Sequence, residues 1–258
     1  MTRDDGIARI HAPQQRALLV ALAIQAGDMI PADVLAEVVW GPALPGSWRE
    51  TLRNLIRRLR TALGTDSIRL ARSSPGYLLD IAPGDVDMHA FESLHKSGMT
   101  AAQGNDWNLA SDTLARALAL WRGVPFTDVP SALLRDTHLP YLEDQLLDVQ
   151  VTRIEAIMRL TAGSSGGVIP ELRQLAARHP FNERFRWLLM LALARSGRKA
   201  EALTVFRDAW DYSTAELGVE PGQTLRQLNQ RVLAGDESLL YEWPGWGDTR
   251  AIGPRYVP

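Results

Sequence analysis

Between Trp48 and Leu63 the apolar residues Leu52, Leu55, Ile56, Leu59 and Leu63 recur at steps of three and four. At about 100° per residue they form one stripe of a helix, and Arg53, Asn54, Arg57, Arg58 and Thr61 fall on the opposite face. Arg49 and Arg60 flank the stripe. Such a segment does not suit a sheet, whose sides alternate with period two, nor a membrane span. It predicts a helix buried on one side and cationic on the other.

The charge is local. From Ser47 to Arg72 there are seven arginines against Glu50 and Asp66, a balance of +5 in a chain whose net charge is −2, so the remainder sums to −7. A run of charge is usually a solvated helix face, and its neighbours decide whether it is more than that. Lys96 and Lys199 are the only lysines among 28 basic residues, which reads as coding bias and carries no functional weight here.

Upstream, Pro13 to Ala26 has the helical period, with Pro13 suited to a first turn and Gly27 to a C-terminal cap. Pro31 is predicted to open a second helix that ends at Trp40, before Gly41-Pro42. Ser47 is predicted to cap the third helix, with Glu50 at the capping-box position. Downstream the period changes: Ser67–Arg72 and Tyr77–Ile81 alternate around a Ser73-Ser74-Pro75-Gly76 turn, as a hairpin does. Helix, turn, basic helix and hairpin together predict a winged helix-turn-helix. Arg donates two hydrogen bonds to guanine and Asn pairs with adenine, so Arg53, Asn54, Arg57 and Arg58 are the predicted base readers in the major groove of double-stranded DNA. Arg49, Arg60 and Thr61, with Arg69 and Arg72 on the hairpin, are the predicted phosphate contacts.

Ala82-Pro83-Gly84-Asp85 reads as a linker, giving a DNA-binding domain over residues 1–84, a helical domain over 85–240 and a tail over 241–258. Helices are predicted near Asp87–Ser97, Asp106–Trp121, Leu139–Thr161, Val168–Arg178, Asn182–Arg195, Lys199–Glu216 and Thr224–Leu233. Arg184–Leu217 has the weak period of a tetratricopeptide-type hairpin turning at Ser196-Gly197-Arg198. The fold class is therefore mainly α, a winged helix followed by an all-α helical-repeat domain. Five Phe and five Tyr amid many Leu and Ala agree with it. The tail from Trp243 to Pro258, rich in proline and glycine, is predicted to be extended or disordered. Its Trp243 and Trp246 are placed to dock on a partner or on the chain's own groove, whereas Trp107, Trp121, Trp187 and Trp210 lie in helical patterns and read as core.

With no cysteine there is no disulfide framework, thiolate zinc site, iron–sulfur cluster or cysteine nucleophile. The longest apolar run, Ala17 to Ile24, is too short for a signal sequence or a span, so a cytoplasmic, nucleoid-associated protein with no membrane partner is expected. Gly163-Ser164-Ser165-Gly166-Gly167 lacks the Lys-Ser/Thr of a phosphate loop. His89, Glu92 and His95 recur at steps of three, which drift around a helix, and no metal is expected there. Glu143, Asp144 and Asp148 lie along a solvated face, and His11, His138 and His179 are scattered. No catalytic constellation stands out, so neither an enzyme nor a cofactor is expected.

The run Trp48 to Gly64, followed by Arg72 to Asp80, resembles the DNA-binding half of the Streptomyces antibiotic regulatory protein family, itself similar to the OmpR-type winged helix. Pro13 to Leu19 and Val38 to Gly41 resemble its first two helices. The likeness continues through Val86–Glu92, Ala119–Gly123, His179–Arg184, Met190–Arg198 and Glu216–Gly222, as in the family's bacterial transcriptional activation domain, and spans about residues 13 to 235. It implies a transcriptional activator of a secondary-metabolite gene cluster that binds tandem repeats near a promoter as a homodimer and contacts RNA polymerase holoenzyme. Two other readings are a small-molecule-responsive regulator with its ligand in the helical-repeat groove, and an interaction scaffold that does not bind DNA. The family's winged helix opens with a small antiparallel sheet, whereas the twelve residues before Pro13 leave room for one strand at Ile7–His11. The back of the first helix then needs another cover. Arg53 and Leu55 stand where relatives carry Gln and His, so the target sequence does not carry over. No nucleotide-binding extension follows residue 240, which predicts a short form without an ATPase switch.

Overall fold

Proline at N1 starts α1 (Pro13–Ile24), because its missing N–H is one that no helix could satisfy. In the computed structural model the described residues are 10–161 and 165–246, with the backbone of 2–3 and 6–7. They fall into two compact units, the first made of Met1–Ser97 with Thr113–Val149 and the second of Gly98–Asp112 with Gln150–Pro258. In the first unit β1 (Thr2–Arg3) pairs antiparallel with β2 (Gly6–Ile7). Of the strand expected over Ile7–His11, Ile7 lies in β2, Ile10 and His11 lead without strand structure to Ala12, whose carbonyl accepts from Gln15 and Arg16 at the start of α1, and residues 8 and 9 lie outside the described residues.

Then come β3 (Ile30–Pro31), α2 (Ala32–Trp40), α3 (Trp48–Leu63), β4 (Leu70–Ser73) and β5 (Gly76–Leu79). The sheet order is β3-β5-β4, so the expected hairpin gains a third strand, with Ile30 opposite Tyr77 and Pro31 opposite Gly76. Pro31 has no N–H to offer a ladder and is tolerated here because β3 is an edge. It precedes α2 rather than opening it. A Cβ on Gly76 would overlap the carbonyl of Ile30, so the close approach of these strands requires glycine. Gly27, at φ +83°, lies beyond the C-cap of α1 at Gln25 and donates its N–H to the Leu79 carbonyl at 2.9 Å.

Two other local expectations change. Ser47 sits at φ −97°, ψ 29° and makes no side-chain cap, since the hydroxyl of an N-cap reaches its amide from an extended backbone; the Ser47 carbonyl accepts from Glu50 and Thr51 instead. Residues Gly64–Arg69 form a 3-10 helix, so the first hairpin strand begins at Leu70 rather than Ser67. The core of this unit holds Leu18, Leu22, Leu35, Leu52, Ile56, Leu59, Leu63, Leu70 and Leu79, all buried. Each contributes about 1.5–3 kcal/mol over exposure. Val129 and Leu134, from far along the chain, join the same core.

The remaining helices are α4 (Asp87–Gln103), α5 (Trp107–Ala119), α6 (Ala132–Leu160), α7 (Ile169–Arg178), α8 (Glu183–Arg195), α9 (Lys199–Leu217) and α10 (Gln223–Ala234). Helix α6 begins seven residues before the expected Leu139 and carries Pro140 inside it. Ser131 precedes it, its Oγ accepting from Leu134 N–H and donating to the Val38 carbonyl. In the second unit α8 is buried on nearly every side, as expected of a central helix. It forms a hairpin with α9 across Ser196-Gly197-Arg198, where Gly197 takes φ +74°. Trp243 and Trp246 pack edge-on against Trp187, with centroids 5.6 and 5.8 Å away. They therefore cover a surface of their own chain. Residues 247–258, the rest of the expected extended tail, lie outside the described residues.

Candidate nucleic-acid interface

The stripe Leu52, Leu55, Ile56, Leu59 and Leu63 is buried, which orients α3 completely. Arg53, Asn54, Arg57 and Arg58 are all exposed on its other side. Residues 53 and 57, and 54 and 58, are one turn apart, so the four form a compact cationic and amide-bearing face. Arg49 at the first turn stacks its guanidinium 4.4 Å from the Trp48 ring centroid.

Helix and hairpin meet at a shallow cleft of about 210 Å³ lined by Trp48, Arg49, Arg53, Arg72, Ser74 and Tyr77 among others. Three of these side chains are cationic, and among the described residues no carboxylate lines the cleft. Three arginines from two elements converging on one opening make a positive field suited to a phosphate group. The spacing of residues within α3 gave no sign that Arg72 joins Arg49 and Arg53, because that depends on how the hairpin folds back.

The remaining expected contacts differ in their engagement. Arg69 is exposed at the end of the 3-10 helix and Arg72 is exposed on β4. Thr61 is exposed, with its hydroxyl donating to the Arg57 carbonyl. Arg60 is half-buried and donates from Nε and Nη2 to the Leu70 carbonyl. Its position beside the apolar stripe was visible in the sequence, but the acceptor was not.

The contrast with the second unit is electrostatic. There Arg153 pairs with Glu171, Arg184 with Glu155, Arg226 with Glu220 and Arg231 with Asp236. Among the described residues no ion pair joins Arg53, Arg57, Arg58, Arg69 or Arg72 to a carboxylate. An exposed array of unneutralised arginines on a rigid helix and its adjoining hairpin is available to an external polyanion. The histidines 89 and 95 do not converge: His89 faces Glu92 at 3.2 Å and the Ile24 carbonyl at 2.8 Å, while the His95 ring stacks on Phe91.

The bacterial transcriptional activator domain family matches residues 86–233. Regulatory protein DnrI of Streptomyces peucetius is 34% identical over 238 residues, covering 88% of this chain and 86% of that protein. Regulatory protein AfsR of Streptomyces coelicolor is 37% identical over 238 residues, 92% of this chain but 24% of AfsR, so the chain spans about a quarter of that relative's length. The structure of Mycobacterium tuberculosis EmbR in complex with a low affinity phosphopeptide is similar with a TM-score of 0.79 at 30% identity, covering 86% of this chain and 59% of that one.

Proposed function

Because the chain belongs to the Streptomyces antibiotic regulatory protein family of transcriptional activators, we propose that residues 1–84 bind duplex DNA and that residues 85–240 act as the activation domain. The observation that carries the DNA reading is the unneutralised face of Arg53, Asn54, Arg57 and Arg58 beside Arg49 and Arg72. The first four residues enter the major groove and read base edges. Arg49, Thr61, Arg69 and Arg72 meet phosphates, and Arg60 does so with the Nη1 that its bond to Leu70 leaves over. Two protomers occupy tandem repeats upstream of a promoter of a secondary-metabolite gene cluster and contact RNA polymerase holoenzyme. No helix among the described residues is long and apolar enough to cross a membrane.

A titration of the full chain with labelled promoter DNA at several salt concentrations tests this. With four arginines neutralising phosphates, log affinity falls against log salt with a slope of about −3 to −4. A slope near zero, or equal affinity for promoter and scrambled DNA, overturns the reading.

A further inference from the structure

A cleft of about 420 Å³ opens in the first unit beneath the irregular segment that joins α5 to α6. It is lined by the half-buried Val20, Ala23 and Ile24 of α1, by Phe91 of α4, and by Trp121 and Phe126 of that segment. Its volume falls within the range of sites that take small organic ligands. The rings of Phe91 and Trp121 lie 5.4 Å apart at 55°, so they present apolar faces at differing angles.

The wall is held in place. Phe126 has φ +62°, a conformation that a bulky residue keeps only where its surroundings enforce it, and such residues cluster at ligand clamps. Two bonds fix the segment around it: Arg16 Nε donates to the Asp128 carbonyl at 2.9 Å, and Ser131 Oγ donates to the buried Val38 carbonyl at 2.7 Å. These bonds anchor the segment on both α1 and α2, and its Val129 and Phe126 pack against the core that α1 helps to build, so the wall of the cleft is fixed by the fold.

The charges specify the ligand. Asp87, Arg122 and Asp128 are the charged residues of the lining, and each already has a partner: Arg122 meets Asp87 at 2.7 Å and Arg16 meets Asp128 at 3.5 Å. Among the described residues no lone charge lines the cleft to balance an ionic guest, while the aromatic lining favours ring surfaces. We propose that this cleft binds an uncharged, ring-bearing small molecule through Phe91, Trp121 and Phe126. The site lies in the first unit, between α1 and residues 86–142, and it shares no lining residue with the arginine-lined cleft.

The test uses the full chain and N-phenyl-1-naphthylamine, an uncharged aromatic probe whose emission rises in apolar surroundings, and it does not involve DNA. One saturable site per chain is expected. Ala23→Phe, which puts a ring into the cleft, should weaken binding at least about tenfold, as should Val124→Trp at an exposed lining position. Circular dichroism establishes that each variant is folded; if Ala23→Phe is not, the exposed Val124→Trp decides. Unsaturable binding, or wild-type affinity in the folded variants, overturns the proposal.

Discussion

Arg60 of α3 gives two of its guanidinium donors, Nε at 3.1 Å and Nη2 at 2.8 Å, to a single carbonyl oxygen, that of Leu70 at the start of β4. The half-buried fork ties the basic helix to the hairpin, whose position sets where Arg72 stands relative to Arg53. Arg60→Ala should therefore lower stability by about 1.5–3 kcal/mol, the worth of a hydrogen bond to a charged group, and weaken DNA binding through a loosened hairpin. Arg60→Lys keeps the charge but lacks the planar fork, so it should recover only part of the stability. Equal melting temperatures for wild type and Arg60→Ala would show that the tie contributes nothing.

Arg58 behaves in the opposite way. It is exposed and its side chain is bonded to none of the described residues, so Arg58→Ala should melt with the wild type while costing about 1–3 kcal/mol on the cognate site and relaxing preference at one or two base positions. Competition between operator and random DNA measures this. An equal loss on both sequences would make Arg58 a phosphate contact and not a base reader.

Gly76 tests the third strand. Its missing Cβ lets β5 lie against the Ile30 carbonyl, so Gly76→Ala forces Ile30–Pro31 off the sheet. Overpacking against backbone that has no slack should cost about 3 kcal/mol or more, read as a fall of roughly 6–12 °C in thermal unfolding. A variant that melts within two degrees of the parent would mean that β3 contributes little to holding the hairpin.

Sequence reasoning reached α3 and α8 because each repeats apolar residues over three or more turns, a pattern that burial imposes and a linear reading recovers. It also placed Arg53, Asn54, Arg57 and Arg58 on one face, since a helix puts them there regardless of the fold around it. What escaped depends on partners distant in the chain or on elements too short to have a period. The two residues of β3 cannot alternate, and Pro31 argued against a strand. Ser67-Ile68-Arg69 alternates yet folds as a 3-10 turn before Leu70. The helix expected from Leu139 in fact begins at Ala132, after Ser131, whose Oγ accepts from the Leu134 N–H. Val129 and Leu134 complete the first core from positions that no local pattern connects to α1.

The segment after α10 is held by one buried cation. Arg195 donates to the carbonyls of Leu239 at 2.9 Å, Met158 at 3.2 Å and Glu242 at 3.0 Å, and burial, with Arg159 nearby, lowers its pKa below the usual guanidinium value. Trp243 lies over it, within 5.3 Å of the guanidinium carbon, and the Arg159 guanidinium lies 4.3 Å from the same ring. Arg195→Ala strips three carbonyls of their donor and should cost about 3 kcal/mol in urea unfolding, with faster proteolytic cleavage beyond Gly235. Trp243→Ala should release the segment at lower cost. If neither variant changes the cleavage rate, the segment is not held by this cluster.

His138 gives the first unit a pH dependence of defined sign. Its ring lies 6.2 Å from that of Phe126, and burial lowers its pKa below 6.5; the Glu92 carboxylate opposes this and His89 reinforces it. A lowered imidazole pKa means that the unfolded chain takes up the proton more readily. The stabilising contribution is therefore complete above about 6.5 and is lost as pH falls below it towards the folded pKa. The carboxylates held low by hydrogen bonds, Asp236 to Ser238 and Arg231, and Glu201 to Arg198, have ordinary values of 3.8 and 4.5 and titrate well below this window. A melting series from pH 7.5 to pH 5.5 isolates the histidines, and His138→Asn should flatten the acid-side fall in melting temperature. If the wild-type and His138→Asn profiles superimpose, the acid sensitivity belongs to another group.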